Sequence, residues 1–191
     1  MQNCSIRKDT YQQIDWLLSV RICIIRDMKG ITLIGMPGSG KSTVGKLLAN
    51  RLNLNFVDLD LLIKEKTGKT HQEILKEKGE QDFIRLEEAL TLPLNLDKTV
   101  FSPGGSIIYS PAAMAKLMRE TNIFYLNLPL EEIKKRLGEN IDYRGIVGLK
   151  EKGIEGLFEE RVPVYQSCAH HTLDCYGFDE KRIADGILWL L

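Results

Sequence analysis

The stretch ITLIGMPGSGKSTVGKLLA, residues 31–49, begins as a short apolar run, passes through a glycine-rich segment and ends with helical periodicity. Its centre, GMPGSGKS, matches the pattern G-x-x-x-x-G-K-[ST] between a predicted strand and a predicted helix. Glycines let the backbone wrap closely around phosphates, and the amides at a helix start supply positive potential. Lys41 adds a charge near the β- and γ-phosphates, and Ser42 can bind magnesium. The stretch therefore predicts a P-loop that binds a nucleotide.

Length and composition narrow the class of protein. The chain has 191 residues, of which 43% are hydrophobic, and this is enough for one domain with a single core. Lys plus Arg and Asp plus Glu both number 26, so no global positive field attracts nucleic acid or an acidic membrane. The four cysteines form no C-x-x-C pair, and we interpret them as free thiols in a reducing cytoplasm. The expected protein is cytoplasmic and monomeric.

The first 28 residues differ from the rest of the chain. Apolar residues recur there at helical spacing, but Arg21 interrupts them, so the segment predicts neither a signal peptide nor a membrane span. We interpret residues 1–28 as an N-terminal extension, with a docking helix for a partner as the alternative. Residues 29–191 form the predicted domain.

From residue 29 onward, predicted strands and helices alternate, which is typical of a parallel sheet. Val44, Leu47 and Leu48 predict the buried stripe of one helix, Thr70 and Glu73 a capping box that begins another, and Ser110 with Pro111 the start of a third. A last helix covers residues 179–191. The five predicted strands are residues 31–34, 55–57, 99–102, 123–128 and 172–174. The pattern predicts a three-layer α/β/α sandwich.

Two further segments carry candidate site residues. The second predicted strand ends in VDLD, which places Asp58 and Asp60 at the edge where α/β sheets bind ligands. One carboxylate could serve magnesium and the other an incoming hydroxyl, and the alternative is a helix-capping pair. Gly104 and Gly105 follow the third strand, where paired glycines let backbone amides approach a ligand. Because the chain is short and lacks an N-K-x-D guanine signature, we expect a small kinase rather than a GTPase or a motor.

The motifs, taken in order, resemble those of the shikimate kinase family. They are GMPGSGKST, the DLD pair, the GE-x-x-F segment, the glycine pair, Arg144 and the segment RVPVY that begins at Arg161. The resemblance covers residues 29–191. It implies a nucleoside monophosphate kinase-like P-loop fold with a five-stranded parallel sheet. It also implies transfer of phosphate from ATP to the 3-hydroxyl of shikimate, a step of aromatic amino-acid biosynthesis.

The resemblance also implies roles for individual residues. Catalysis falls to Lys41, Asp60 and Arg144, and magnesium to Ser42 and, through water, Asp58. The nucleotide and acceptor contacts that it implies are these: for ATP, Gly38, Ser39, Gly40, Lys41, Ser42, Thr43, Arg136 and Arg144; for shikimate, Asp60, Gly104, Gly105 and Arg161. Chemistry agrees with these roles, because phosphoryl transfer needs charge neutralisation, and an arginine can grip a carboxylate with two donors.

The chain also departs from the family pattern. The usual F-R-x-x-E segment reads FIRLE, so Ile84 stands where the family has a second carboxylate-binding arginine. Arg85 follows it, but adjacent helical positions are rotated by about 100°, so we expect Arg85 to face elsewhere. Ser106 stands where the family has a third glycine, and Gly145 stands where the family has a proline after the lid arginine, here Arg144. Two alternatives therefore stay open: a kinase of another small hydroxylated metabolite, and a nucleotide-binding regulatory module.

Overall fold

The computed structural model describes residues 29–138 and 145–191. The predicted N-terminal extension, the cysteines at positions 4 and 23, and Arg144 lie outside these ranges. Five parallel strands form one sheet in the order β2-β3-β1-β4-β5. They are β1 Gly30–Ile34, β2 Asn55–Asp58, β3 Thr99–Ser102, β4 Thr121–Asn127 and β5 His171–Asp174. The predicted strands are thus confirmed, with ends that shift by at most two residues.

Helices follow or precede each strand in the described ranges. They are α1 Lys41–Leu52, α2 Leu59–Thr67, α3 His71–Thr91, α4 Pro111–Glu120, α5 Leu130–Leu137, α6 Leu149–Cys168 and α7 Glu180–Leu190. The predicted capping box is confirmed, since the Thr70 side chain accepts from the backbone of Glu73 and the Glu73 side chain accepts from that of Thr70. Ser110 caps α4 as predicted. Gly79 kinks α3 and Gly153 kinks α6, each with a positive φ.

The helices cover both faces of the sheet. On one face α1 packs so closely that a Cβ on Gly45 would lie 2.7 Å from the Phe56 ring. On the other face α6 stacks Tyr165 on Tyr125 of β4, with 5.3 Å between ring centroids. This is the predicted three-layer α/β/α sandwich. One detail of the prediction is wrong, because Leu47 is only half-buried, and Ala49 and Leu52 complete the apolar stripe of α1 instead.

The strand register brings the polar strand ends together. Asp58 at the end of β2 lies opposite Ser102 at the end of β3, and β1 ends immediately before the P-loop. In the sheet β1 lies between β3 and β4, so the strand order changes direction at β1. Such a change of direction opens a crevice beyond the carboxyl ends of the strands. The candidate site occupies this crevice.

The cysteine and histidine cluster near the last strand has structural contacts. Cys168 and Cys175 are free thiols, as predicted. His170 Nδ1 accepts a hydrogen bond from the backbone of Ile123, and the His171 ring stacks on Phe124. Within residues 29–138 and 145–191, no group of three or more His, Cys, Asp or Glu side chains is placed to hold a metal ion. No helix in these ranges combines the length and apolarity needed to cross a membrane.

Candidate active site

A cavity of about 480 Å³ opens at the carboxyl ends of the strands. The P-loop forms one wall, and Asp60 and the start of α3 form another. The rest of the lining comes from residues 102–106 at the end of β3, from Phe83 and Glu87 of α3, from residues 145–147 and from Arg161 of α6. The tertiary structure thus brings four separate sequence segments with predicted site residues around one space.

The P-loop has the backbone shape that the sequence predicts. Gly38 and Gly40 have φ values of 79° and 95°, which L-residues with a side chain rarely adopt. Lys41 Nζ donates hydrogen bonds to the carbonyl oxygens of Gly35 and Met36, each at 3.0 Å. Burial lowers the pKa of Lys41 to about 8. Since negative charge nearby favours the ammonium form, bound phosphates would hold Lys41 in its charged state.

Asp58 caps a helix and lines a recess together with the P-loop serine. Its Oδ1 accepts hydrogen bonds from the backbone amides of Asp60 and Leu61 at the start of α2, so Oδ2 is not used in this cap. Asp58 and Ser42 line the same shallow recess beside the cavity, and Ser42 Oγ lies 3.5 Å from Ser102 Oγ. Carboxylate and hydroxyl oxygens are the hard ligands that magnesium prefers. The oxygen donors of Ser42 and Asp58 are therefore of the type that suits a magnesium ion.

Asp60 faces the cavity beside a histidine. Its Oδ1 lies 3.8 Å from Nε2 of His71, the first residue of α3. The Asp60 side chain lines the cavity and is 54% exposed, so the cleft desolvates its carboxyl group only in part. This desolvation raises the pKa of Asp60, against the opposing charges of His71 and Lys41. A raised pKa makes a carboxylate a better proton acceptor near neutral pH.

The glycine pair allows two ionisable side chains, Glu87 and Arg161, to approach the backbone. A Cβ on Gly104 would lie 2.5 Å from Glu87 Oε1, and a Cβ on Gly105 would lie 3.0 Å from Arg161 Nη1. The Gly105 carbonyl accepts a hydrogen bond from Tyr165 Oη at 2.7 Å. A side chain at either position would crowd these neighbours, so close approach, rather than an unusual φ, favours glycine at both.

Arg161 is a buried cation whose direct partners are neutral. It is 1% exposed. Its Nε donates to Tyr109 Oη at 3.1 Å, its Nη2 donates to the Val147 carbonyl at 2.7 Å, and its Nη1 lies beside Gly105. The Tyr109 ring also lies 5.1 Å from the guanidinium carbon. Because a buried charge is costly unless an opposite charge accompanies it, this arrangement suits an anionic ligand.

Glu87 is a buried carboxyl group with no direct partner. It is 0% exposed, and neither of its carboxyl oxygens has a hydrogen-bond partner in the described part of the chain. Burial raises the pKa of Glu87 to about 8, while the nearby Ser106 hydroxyl and the Arg161 charge only partly oppose this. Asp60 adds to the rise. Glu87 is therefore mostly a neutral acid at pH 7.

This raised pKa predicts a pH dependence of stability. An acid whose pKa is higher in the folded than in the unfolded state loses folding free energy as the pH rises from the unfolded pKa, near 4.5, to the folded pKa, about 8. Each pH unit in this window costs up to about 1.4 kcal/mol. We therefore expect the wild type to lose up to about 3 kcal/mol more than Glu87→Gln between pH 5.5 and 8.5. Urea unfolding of both proteins at the two pH values measures this; parallel losses would contradict it.

Ile84 and Arg85 lie where the helical geometry predicts. The Ile84 side chain is half-buried and packs against the apolar core. Arg85 points outward and pairs with Asp82 at 3.1 Å, with 77% of its side chain exposed. The arginine that follows Ile84 in sequence therefore does not replace the guanidinium that Ile84 lacks, as expected.

The remaining predicted nucleotide contacts lie around the P-loop. Ser42 and Thr43 line the cavity. Arg136 pairs with Glu132 on the same helix at 2.8 Å, and its Nη1 would lie 3.9 Å from a Cβ on Gly40. This position keeps Arg136 beside the phosphate cradle. The predicted lid residue Arg144 lies outside the described residues.

Several side chains of the site, Glu87 among them, were not predicted as site residues from the sequence. His71 lines the cavity, and Tyr109 and Tyr165 surround Arg161. Tyr165 ends the RVPVY segment, so that motif could have indicated Tyr165 as a site residue. His71 and Tyr109 carry no such signal, because each reaches the site only through the packing of separate parts of the chain.

Comparison with known proteins agrees with this geometry. The shikimate kinase family model matches residues 37–191. Shikimate kinase of Enterococcus faecalis is 33% identical over 163 residues, which cover 84% of this chain and 97% of that protein. The Persephonella marina enzyme is 38% identical over 162 residues, covering 84% and 98%. Acinetobacter baumannii shikimate kinase, solved in complex with shikimate, superposes with a TM-score of 0.78 at 28% identity, covering 89% and 96%. The resemblance seen in the motifs is thereby confirmed, and the chain belongs to the shikimate kinase family.

Proposed function

We propose that this family member transfers the γ-phosphoryl group of ATP to the 3-hydroxyl of shikimate, as a step of aromatic amino-acid biosynthesis. The observation that carries the proposal is the sharing of one cavity by Lys41, Asp60 and Arg161. These residues supply a cation for the phosphates, a carboxylate for the acceptor hydroxyl and a buried cation for the acceptor carboxylate. We further propose a cytoplasmic monomer that acts on small molecules and not on nucleic acid or membranes.

The P-loop half of the cavity would hold the nucleotide. Its amides and Lys41 surround the phosphates, with Arg136 beside them and Arg144 as the proposed further cation. Ser42 and Asp58 would hold magnesium, which when bound neutralises phosphate charge and lowers the barrier to transfer. Since the transition state of phosphoryl transfer is loose, correct position and charge matter more than a strong base.

The other half would hold the acceptor. Arg161 faces the cavity beside Gly105, where its guanidinium can bind a planar carboxylate through charge-assisted hydrogen bonds. Asp60 would accept the proton of the attacking hydroxyl, a role that suits its raised pKa. Gly104 and Glu87 line the part of the cavity between Asp60 and Arg161.

A kinase for another small hydroxylated metabolite is the second candidate. The observation that favours it is Ile84, because a pocket without the second arginine has lost roughly 1.5 to 3 kcal/mol of charged hydrogen bonding to a carboxylate. A regulatory module without turnover fits less well, since Lys41, Ser42, Asp58 and Asp60 are all present and grouped.

The direct test is an acceptor screen. Purified protein with ATP and magnesium is assayed against shikimate and a panel of small hydroxy acids and sugars. We expect ADP formation that depends on shikimate. Turnover of another acceptor alone would favour the second candidate, and acceptor-independent ATP binding without turnover would favour a regulatory module.

The substitution Ile84→Arg tests the acceptor assignment. A guanidinium at position 84 lies one helical turn from Glu87, whose buried carboxyl group has no direct partner and can balance its charge. We expect Ile84→Arg to lower the KM for shikimate by about tenfold, with little change in the KM for ATP. Ile84→Met, which keeps an apolar side chain, is the control. If neither the wild type nor Ile84→Arg turns over shikimate while both bind ATP, shikimate is not the acceptor.

A further inference from the structure

His71 has a place in the cavity that the proposed reaction does not yet use. It follows the Thr70 cap as the first residue of α3, and its ring packs edge-on against Phe83 with 5.0 Å between centroids. The side chain is 17% exposed, and its Nε2 atom is buried with no hydrogen-bond partner in the described part of the chain. Because a buried polar atom without a partner is costly, a bound molecule is the natural partner of Nε2.

The position of Nε2 relative to Asp60 indicates what that molecule presents. Nε2 lies 3.8 Å from Asp60 Oδ1, which is too far for a direct hydrogen bond. Two atoms at this separation can both lie about 2.8 Å from one oxygen placed beside them. A hydroxyl group there would accept a hydrogen bond from Nε2 and donate one to Oδ1. The pair of side chains therefore suits a hydroxyl group.

The other nitrogen-bearing side chains of the cavity have different partners. Among the described lining residues these are Lys41 and Arg161. Lys41 is bound to P-loop carbonyls next to the phosphate site, and Arg161 is held by Tyr109 and Val147 at the far side of the glycine pair. Among the described side chains that line the cavity, His71 is thus the nitrogen donor next to Asp60.

Gly145 limits the room in which His71 can move. A Cβ on Gly145 would lie 2.7 Å from the Cβ of His71 and 2.4 Å from the backbone nitrogen of Gln72, and the φ of Gly145 is 62°. Both a side chain and the fixed φ of the family's usual proline are therefore excluded at this position. The departure at Gly145 accompanies the close packing of this residue on the start of α3.

We propose that His71 is a further substrate-binding residue, which together with Asp60 holds the hydroxyl adjacent to the reacting hydroxyl of the acceptor. This inference rests on the proposed function. The reacting oxygen is not the partner of Nε2, because a hydrogen-bond donor there would withdraw electron density from the nucleophile. The acceptor class is therefore one with two neighbouring hydroxyls, such as the 3- and 4-hydroxyls of shikimate. Recognition through hydroxyls offsets part of the affinity lost with the arginine that Ile84 replaces.

The substitutions His71→Leu and His71→Gln test this role. Leucine removes the donor but keeps the bulk, whereas glutamine keeps a nitrogen donor of similar reach. With shikimate as probe, we expect His71→Leu to raise the KM about tenfold and His71→Gln to raise it less than about threefold. The KM for ATP should stay within about twofold for both. His171→Leu, a matched change in β5 outside the cavity, should leave both KM values unchanged.

Two shikimate derivatives identify the group that His71 contacts. For a derivative that lacks the 4-hydroxyl, the wild type and His71→Leu should have the same KM, whereas for the methyl ester the tenfold difference should remain. A difference that vanishes for the ester and remains for the deoxy derivative would place His71 at the carboxylate and overturn the inference. Equal KM values of the wild type and His71→Leu for shikimate itself would also overturn it. A wild type that binds ATP but does not phosphorylate shikimate instead shows failure of the proposed function, and the inference fails with it.

Discussion

Lys41→Ala is expected to lower the turnover of the acceptor by about 10³-fold or more, the range seen when a group that stabilises transition-state charge is removed. The ammonium group is held at the phosphate cradle by the carbonyls of Gly35 and Met36, so it is positioned before the nucleotide arrives. Charge on the transferred group shifts during the reaction, and a positioned cation stabilises the transition state more than the ground state. Steady-state kinetics with saturating ATP and acceptor measure the loss.

The fold should tolerate this change. Burial of Lys41 lowers its pKa to about 8, which means that the folded state disfavours the ammonium form, so removal of the charge relieves a cost. We expect an unfolding temperature of Lys41→Ala within a few degrees of the wild type. Lys64→Ala, on the exposed side of α2, is the control and should keep full turnover. Retention of most of the turnover by a folded Lys41→Ala would refute the P-loop mechanism.

Asp60→Asn is expected to lower kcat by about 10²- to 10⁴-fold, the usual contribution of a positioned proton acceptor. Asparagine has nearly the same shape, and its amide oxygen still accepts a hydrogen bond from the acceptor hydroxyl, but it cannot take the proton. Since Asp60 lies in the acceptor half of the cavity, the KM for ATP should change by less than about threefold. Initial rates over a grid of both substrate concentrations separate these effects.

Asp58→Asn is the matched comparison for Asp60→Asn. Asp58 caps α2 and lines the recess that it shares with Ser42, so its substitution should raise the magnesium concentration needed for half-maximal rate. Asp60→Asn should leave that concentration unchanged. If Asp60→Asn raised the KM for ATP and the magnesium requirement as much as Asp58→Asn does, Asp60 would belong to the metal site. No proton acceptor for the substrate hydroxyl would then be assigned.

The sequence by itself determined the architecture and the nucleotide half of the site. Strand and helix patterns predicted all five strands and the helix starts at Thr70 and Ser110, because local periodicity and capping chemistry are properties of neighbouring residues. The P-loop was equally readable, since its glycines, Lys41 and Ser42 are contiguous and their spacing follows from the phosphate that they surround. The outward direction of Arg85 followed from helical rotation alone.

Only the tertiary structure decided the acceptor half. Three of its features depend on how separate elements pack. They are the burial of Arg161 among neutral partners, the carboxyl group of Glu87 without a hydrogen-bond partner in the described residues, and the approach of His71 to Asp60. His71 and Glu87 lie on one helix, but the kink at Gly79 between them breaks the helical rotation that would relate their directions. A periodic pattern specifies which face of an element is buried, and not which side chain of another element it meets. The acceptor pocket consists of contacts between side chains of different elements, and for this reason its chemistry became visible only in the folded chain.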